Sequence, residues 1–380
     1  MNIEEVRKLF QHLQTDQIYF NHAAIGPWHK LVLDRIQEYS QQRSLTQIEN
    51  YKSFLKWNDS AKVKLAKLLN TTADRLAWTD NVANGISILA QGIEWETGDR
   101  IILNDMEFPS NVYPFLNLKN QGVEVDFVKS RNGIIDIEEI EKLVTLKTKL
   151  ISISLVQFVS GYRADVTAIG ELCKKNGIIF CADAIQGAGV VQIDVNKSKI
   201  DFLSGGSQKW LMSSQGLSYI FVTEELQNRI KQRNVGWTSV EDAWNLLDYN
   251  LTLKSGADRY QSGTVNAFGV AIFEASLEMF HEFGLKNVES RVLENTSYFI
   301  KKLVEIGIEP LLKDVSENNF AGIVSFKHEK ANDIFTELEE RKIYAAVRGG
   351  MIRLSPHFYN TSDEIDSVIN CLKEILERIN

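Results

Sequence analysis

The sequence of 380 residues has little cysteine and proline and no long uninterrupted hydrophobic run. Its three cysteines, Cys173, Cys181 and Cys371, show neither a metal-ligand spacing nor a disulfide framework. Such usage is typical of a reducing compartment, so we expect a cytoplasmic protein. Only five prolines and no low-complexity tract occur, which argues against a flexible linker and against a repeat array.

The chain also lacks an excess of positive charge. Its formal net charge is -8, which argues against a general nucleic-acid or anionic-membrane surface. The first ten residues carry acidic side chains where a secretory signal needs a basic segment and then an apolar run. No apolar stretch is long enough to span a bilayer. We therefore expect a small-molecule ligand, and neither nucleic acid nor a membrane as partner.

Between about Leu76 and Val222 the sequence alternates short β-rich runs with helical patterns, which is the signature of βαβ units on a largely parallel sheet. The predicted strands lie at residues 76–78, 100–104, 124–128, 150–156, 178–182, 202–204 and 218–222. Helices are predicted at 84–92, 109–119, 136–143 and 165–176. The predicted fold class is α/β, with a mostly parallel seven-stranded sheet and helices on both faces.

The pattern changes after Thr264. Helical stretches at 265–283 and 285–306 precede strands near 322–326 and 351–354, which flank a helix at 331–341, and a last helix begins near Ser362. A chain of this length exceeds the size at which one core usually stops growing. We predict a large domain over residues 16–264 and a smaller α+β domain, made of residues 1–15 and 265–380, that packs over its mouth.

Two ionisable residues stand at predicted strand ends. Asp183 ends an apolar run that begins at Gly177, and Lys209 shortly follows the strand at 202–204. Sheets of this class bind ligands beyond the carboxyl ends of their strands. A lysine amine forms a Schiff base with the aldehyde of pyridoxal 5'-phosphate (PLP), and a carboxylate keeps its pyridine nitrogen protonated. Alone, Asp183 is better explained as a turn cap and Lys209 as a solvated lysine, but their occurrence together with Gln186 favours PLP.

A phosphate group needs N–H donors at the start of a helix. The segment 79–85 leads into a helical pattern and offers the backbone amides of Val82 and Ala83. An ordinary helix capped by asparagine explains this segment equally well, because no multi-glycine fingerprint is present. The glycines at 187–189 and 205–206 lack the spacing of a dinucleotide loop or a P-loop, so nucleotide binding is the weaker alternative.

Several motifs occur in the order in which one enzyme family has them. They are Asp183-x-x-Gln186, residues 201–209 ending in Lys209, Glu107-Phe-Pro-Ser-Asn111, Ser262-Gly-Thr264 and residues 353–360 beginning with Arg353. With these motifs the chain resembles the class V aminotransferases of the fold type I PLP enzymes, which include cysteine desulfurases and isopenicillin N epimerase-like proteins. The resemblance covers nearly the whole chain. It implies the fold and the cofactor, but leaves the reaction open because the family is chemically diverse.

The resemblance implies roles around the cofactor ring. Lys209 would hold PLP covalently and later move a proton at the substrate Cα, while Asp183 would pair with the pyridinium. Gln186 and Gln157 would contact the ring oxygen. Phe108 would stack on the ring, where desulfurases have a histidine, and a core aromatic is the alternative interpretation of Phe108.

The resemblance also implies ligands for the phosphate and the substrate. Ser207 and Gln208 would reach the phosphate from the lysine side, and Thr264 would reach it from a partner subunit. Arg353 would clamp the substrate carboxylate bidentately, and Trp237 and Arg348 are further candidates for shaping the pocket. His22 matches a segment that lines the substrate side, although a structural histidine explains it equally well.

Three departures from the family pattern bear on the reaction and the phosphate. Residues 344–352 contain no cysteine, so the thiolate that takes up sulfur in desulfurases is absent and desulfurase activity is disfavoured. Gly206 stands where many relatives have serine. Ala83 stands where a hydroxyl residue is common, so backbone donors must compensate at both positions.

The sequence predicts a homodimeric PLP-dependent enzyme with shared active sites, and the first choice is a class V aminotransferase acting on a small α-amino acid. An isopenicillin N epimerase-like epimerase and a PLP-dependent lyase are the alternatives, since both would use the same residues. A non-catalytic PLP-fold binding protein is the alternative of another class. The joint presence of Lys209, Asp183 and Arg353 argues against it, because none of the three has an evident packing role.

Overall fold

A seven-stranded sheet lies at the centre of the protein, whose structure is a computed structural model describing residues 2–379. The strands of the chain are β1 (Ile18–Tyr19), β2 (Leu76–Thr79), β3 (Arg100–Asn104), β4 (Glu124–Val128), β5 (Thr148–Ser154), β6 (Ile179–Asp183), β7 (Phe202–Gly206), β8 (Ser218–Val222), β9 (Val324–Lys327), β10 (Ile343–Tyr344), β11 (Ala346–Arg348) and β12 (Met351–Leu354). The central sheet has the order β2-β8-β7-β6-β5-β3-β4. Only β8 runs opposite to the other six strands, so the predicted mostly parallel sheet is confirmed.

Helices cover both faces of this sheet. The helices are α1 (Ile3–Arg7), α2 (Lys30–Gln41), α3 (Tyr51–Leu69), α4 (Val82–Gly92), α5 (Tyr113–Leu116), α6 (Ile137–Leu143), α7 (Val166–Asn176), α8 (Glu224–Gln227), α9 (Ala267–Phe283), α10 (Leu285–Glu305), α11 (Ala331–Glu340) and α12 (Ser362–Ile379). Alternate residues of a strand point to opposite faces. Along β3, Ile101 and Leu103 therefore join the core with α4, whereas Ile102 joins the core with α7.

The predicted helix over 109–119 is interrupted in the structure. A 3₁₀ turn spans Pro109–Asn111, α5 follows, and a second 3₁₀ turn spans Asn117–Gln121. Pro114 lies inside this stretch and has no N–H to donate to the preceding turn, which explains the break. The other predicted helices of the large sheet are present with shifts of up to two residues at their starts.

A second, three-stranded antiparallel sheet of order β11-β12-β9 lies over the carboxyl end of β5. Its Arg353 donates a hydrogen bond from Nη1 to the Phe158 carbonyl at 2.8 Å, and its Ser325 donates from Oγ to the Val159 carbonyl at 2.5 Å. This sheet therefore covers the loop that leaves β5. The helices α10, α11 and α12 pack around it, and β1 pairs with β10 alongside.

The division into residues 16–264 and residues 1–15 with 265–380 stays a prediction, and its end residues Met1 and Asn380 lie outside the described part of the chain. Within residues 2–379, no helix combines the length and the apolar character that crossing a membrane requires.

Candidate active site

The carboxyl ends of β6 and β7 bring Asp183 and Lys209 together. Asp183 is the last residue of β6, paired with Ser154 of β5 and Ser204 of β7, and only 1% of it is exposed. Its Oδ1 accepts a hydrogen bond from the Ile185 N–H at 2.9 Å. Lys209 follows β7 after two residues and is partly buried, and its charge interacts with that of Asp183.

Burial controls the ionisation of this pair. The pKa of Asp183 is raised to about 7, mainly by loss of water and also by the nearby Glu107 charge, against the lowering effects of the Ile185 N–H and of Lys209. The pKa of Lys209 is lowered to about 8, mainly by loss of water and also by Arg353 and Arg348, while Asp183 opposes this shift. Lys209 can therefore supply a neutral, nucleophilic amine at mildly alkaline pH.

Phe108 lies beside the lysine amine. The Lys209 Nζ is 5.6 Å from the centroid of the Phe108 ring, which also makes an edge-to-face contact with Phe158 at 5.2 Å. The Phe108 side chain is 40% exposed, which a core aromatic would not be. The structure thus places a partly exposed Phe108 ring beside Lys209.

A buried carboxylate next to Phe108 was not among the predicted site residues. Glu107 is 8% exposed and accepts hydrogen bonds from the backbone N–H of Ser154 and from the side chains of Asn104, Asn111, Ser154 and Gln157. Within residues 2–379 no lysine or arginine forms an ion pair with it. The motif Glu107-Phe-Pro-Ser-Asn111 carried the signal, because an acid and an amide four residues apart within a short turn can bond each other.

The two glutamines predicted to contact the ring oxygen are held by the protein. Gln157 is buried and donates from Nε2 to Glu107 at 3.2 Å, so its unpartnered atom is the acceptor Oε1. Gln186 donates from Nε2 to the Ala23 carbonyl at 3.0 Å and accepts from the Trp210 indole at 2.7 Å. One amide hydrogen of Gln186 remains for a ligand, whereas the oxygen of Gln157 requires a donor.

The prediction that His22 contacts the substrate does not fit its surroundings. Its side chain is inaccessible, with Nδ1 2.7 Å from the Ser355 carbonyl and Nε2 2.5 Å from the Tyr359 hydroxyl. Burial also lowers the pKa of His22 well below its usual range. Both ring nitrogens are thus used, and His22 joins the N-terminal segment to the strand that carries Arg353.

Of the two predicted phosphate ligands before Lys209, only Gln208 has a free side chain. The Ser207 hydroxyl is buried and directed at the carbonyls of Ser214 and Leu217, at 2.7 and 2.8 Å, so its only hydrogen is used within its own loop. Gln208 is partly exposed and folds over Gly206, where an added Cβ would lie 2.7 Å from the Gln208 Oε1. The glutamine amide therefore fills the space that a side chain at 206 would need.

The N-terminus of α4 offers two backbone donors. Asn81 caps the helix by accepting from the Asn84 N–H at 2.9 Å, and its carbonyl accepts from the Gly85 N–H at 3.1 Å. The N–H groups of Val82 and Ala83 have no acceptor within the helix, as expected for its first turn. An anion would find both donors and the positive end of the helix dipole there.

Arg353 is a buried cation without a counter-ion. It is 2% exposed. Its Nη1 donates to the Phe158 carbonyl, and its buried Nε has no hydrogen-bond partner. Within residues 2–379 no carboxylate lies within ion-pair distance of it. Its pKa is lowered to about 10, mainly by burial and also by the Arg348 charge. A guanidinium in this state is a ready binding site for a carboxylate.

Thr264 lines a cavity to which neither Lys209 nor Arg353 belongs. This cavity of about 440 Å³ is lined by Thr264 together with Thr79, Asp80 and Asn84, while neither Lys209 nor Arg353 reaches it. Within one chain the structure therefore brings Thr264 to the outer side of α4 and not to Lys209.

These residues fit PLP. The free amides of Val82 and Ala83 suit a phosphate, and the open face of Phe108 suits a planar ring. Asp183 suits a pyridinium because its charge is otherwise only partly compensated. Among residues 2–379 no group of three His, Cys, Asp or Glu side chains is arranged to hold a metal ion.

Comparisons with known proteins found a family, curated relatives and solved structures similar to this chain. The model of the family described as "Aminotransferase class-V" matches residues 18–368. The uncharacterized aminotransferase YcbU of Bacillus subtilis (strain 168) is 26% identical over 367 residues, covering 97% of this chain and 96% of that protein. A probable cysteine desulfurase of Pyrococcus abyssi is also 26% identical and covers 99% of this chain and 98% of that protein. The apo structure of a cysteine desulfurase from Thermococcus onnurineus NA1 shares the fold with a TM-score of 0.89 at 22% identity, over 99% of this chain and 98% of that one.

Proposed function

We propose that this chain, which belongs to the class-V aminotransferase family and uses pyridoxal 5'-phosphate as its cofactor, is an aminotransferase acting on a small α-amino acid. The observation that carries the proposal is one amine between charges of opposite sign. Lys209, with its pKa lowered to about 8, interacts with the buried Asp183 and with the unpaired Arg353. This arrangement supplies a nucleophilic amine, a carboxylate for a heterocyclic nitrogen and a cation for a substrate carboxylate.

Each of these residues then has one task. When bound, PLP supplies an electron sink for the substrate Cα. Lys209 would hold the cofactor covalently and would carry a proton to and from the substrate Cα. Asp183 would keep the pyridine nitrogen protonated, and Arg353 would fix the substrate carboxylate so that the Cα–H bond faces Lys209.

The remaining contacts hold the cofactor in place. Phe108 would lie against the ring face, and the free hydrogen of Gln186 would be offered to the ring oxygen. Gln157 contributes its unpartnered oxygen to the same pocket. The amides of Val82 and Ala83 would hold the phosphate, with Gln208 as a further ligand.

We further propose a cytoplasmic homodimer in which Thr264 of one subunit completes the phosphate site of the other. The position of Thr264 on the outer side of α4, away from Lys209 of its own chain, supports this assignment. Three buried cysteines without disulfides support a reducing compartment.

Cysteine desulfurase activity is the less favoured reaction. The turn between β11 and β12 consists of Gly349 and Gly350 alone, with φ of 57° and 74°, which leaves no loop for a catalytic cysteine. Burial raises the pKa of Cys181 to about 12 and that of Cys173 further, so neither thiol is readily ionised. A relative is named a probable desulfurase, however, so L-cysteine with sulfide detection belongs in the test.

The test is a half-reaction with stoichiometric enzyme and single amino acids. An aminotransferase will release one keto acid and retain pyridoxamine phosphate for each active site, and Lys209→Ala will abolish release. Exchange of the Cα hydrogen without a keto acid would instead identify an epimerase, and an elimination product with the cofactor still an aldehyde would identify a lyase. A protein that binds PLP and changes none of the amino acids would be a binding protein, contrary to the proposal.

A further inference from the structure

The second sheet carries two arginines on the same face. Directly paired residues of an antiparallel ladder point to the same side, and side chains two residues apart on one strand do so as well. Arg348 pairs with Met351, and Met351 is two residues from Arg353 on β12. Arg348 and Arg353 are therefore diagonal neighbours on one face, with Cα atoms roughly 7 Å apart.

This face is the one that covers the active site. Arg353 bonds the carbonyl of Phe158, whose ring contacts Phe108 beside the Lys209 amine. Arg348 lies close enough for its charge to act on both partners. Burial is the largest cause of the lowered pKa of Lys209 and of Arg353, and repulsion by the Arg348 charge lowers both pKa values as well.

Neither arginine has an acidic partner. Arg348 is exposed at the end of β11, and its Nη1 donates to the carbonyl of the neighbouring Val347 at 2.7 Å. Within residues 2–379 it forms no ion pair with any carboxylate. Partly buried arginines elsewhere behave differently, since Arg35 pairs with Glu274 and Arg163 with Glu289.

The acidic groups of the site do not offset this positive charge. Glu107 is saturated by its hydrogen bonds from amides and hydroxyls. Asp183 lies on the sheet side of Lys209, where the proposed function assigns it to the ring nitrogen. The α-carboxylate of an amino acid would neutralise one guanidinium and leave the other without a partner.

We infer that the substrate is an amino acid with a second anionic group on its side chain, and that Arg348 is the specificity-determining residue that binds this group. The inference rests on the proposed function, because that function assigns the α-carboxylate to Arg353. The diagonal spacing of the two arginines suits the two ends of a short dicarboxylic amino acid such as L-aspartate or L-glutamate. The two-residue turn of Gly349 and Gly350 ends β11 at Arg348, which faces the same side as Arg353.

Isosteric substrate pairs test this inference. The half-reaction is measured with L-glutamate against L-glutamine and with L-aspartate against L-asparagine, which differ in charge but hardly in shape. We expect the acid to be preferred, and Arg348→Gln to reduce the preference by about tenfold, as the loss of one charge-assisted hydrogen bond predicts. Arg348→Lys should restore part of it. Arg378→Gln, which removes an exposed arginine from α12, is the matched control and should leave the ratio unchanged.

A binding measurement separates this inference from the proposed function. Glutarate carries two carboxylates, valerate carries one, and neither has an amine to react. Calorimetry with the PLP-loaded enzyme therefore compares the affinity for two carboxylates with the affinity for one, without any reaction. Tighter binding of glutarate that is lost in Arg348→Gln supports the inference even if no amino acid is transaminated. Equal binding of both acids, or transamination of the amides as readily as of the acids, would overturn it and leave the aminotransferase intact. Dissociation of an Arg348→Gln dimer with an unchanged preference would assign Arg348 to the subunit interface and also overturn it.

Discussion

At the scale of single residues, removal of water does most to prepare the site. It raises the pKa of Asp183, lowers that of Lys209 and lowers that of Arg353, so each is less firmly charged than in water. A bound ligand that offers the opposite charge stabilises the charged form of each of the three residues. The site therefore holds electrostatic energy that binding of cofactor and substrate can release.

The lowered pKa of Lys209 predicts how fast the cofactor attaches at different pH values. Only the neutral amine attacks an aldehyde, so below its pKa of about 8 the rate should fall about tenfold per pH unit. Above this pKa the rate should level off, whereas the rate with an ordinary lysine would keep rising up to about pH 10. The measurement is the initial rate at which cofactor-free enzyme forms the borohydride-trapped product with added PLP. Lys209→Ala is the blank, and a rate still rising steeply at pH 9.5 would show that Lys209 is not perturbed.

Some site residues could be recognised from the sequence and others could not. Asp183, Lys209 and Arg353 stand within strands or shortly after them, where an ionisable side chain has few packing reasons, and in the structure the charges of Asp183 and Arg353 act on Lys209. His22 and Ser207 carry the right functional groups, but other parts of the chain use them. The partners of His22 lie more than 330 residues away in sequence, which no local pattern reveals.

At the scale of elements, the packing of α4 on the central sheet fixes the two backbone amides that we propose as phosphate donors. Gly85 faces β7 and β8, where an added Cβ would clash with the Ser204 hydroxyl and the Ile220 side chain. Ser204 also donates to the Val82 carbonyl at 3.2 Å, which ties the first turn of the helix to the sheet. The position of the Val82 and Ala83 amides therefore depends on the close approach at Gly85.

We predict that Gly85→Ala weakens PLP binding as well as folding. The added methyl group must push α4 away from β7, which costs about 1 to 3 kcal/mol of unfolding free energy and moves the phosphate donors. Gly170→Ala is the matched control, because its Cβ would meet the Ser198 carbonyl where α7 packs, far from the phosphate. Both variants should lose stability in urea titrations. Only Gly85→Ala should raise the dissociation constant for PLP, and an equal affinity in both variants would contradict a positioning role for Gly85.

Helices and strands were predicted correctly where the hydrophobic pattern extended over enough residues, and strands were missed where they were short. The seven strands of the central sheet are apolar runs bounded by polar turns, and all seven are present. The strands β1, β10 and β11 have two or three residues, too few for a period to show. The hairpin of β11 and β12 turns on Gly349 and Gly350, a signal that was available in the sequence and that brings Arg348 beside Arg353.

At the scale of the whole molecule, one part of the surface is unusually apolar. The segment 244–251 exposes several large side chains, among them Trp244 at 65%, Leu247 at 87% and Tyr249 at 90%. Tyr51 at the start of α3 contacts the Trp244 ring at 5.6 Å, and near it Leu45 and Ile48 are also exposed. A contiguous apolar surface of this kind marks an interface, and the proposed homodimer supplies the partner.

We predict that Leu247→Asp dissociates the dimer and thereby loosens the cofactor. A carboxylate buried in an apolar interface costs several kcal/mol, while on a free monomer it costs almost nothing. Leu146→Asp is the matched control, because Leu146 is fully exposed in the turn before β5 and away from the apolar surface. Light scattering should give twice the chain mass for the unmodified protein and for Leu146→Asp, and the single chain mass for Leu247→Asp. Because Thr264 would then be lost from the neighbouring phosphate site, PLP should leave the Leu247→Asp protein faster on dialysis. A monomeric unmodified protein that retains PLP and reacts with amino acids would contradict the shared site.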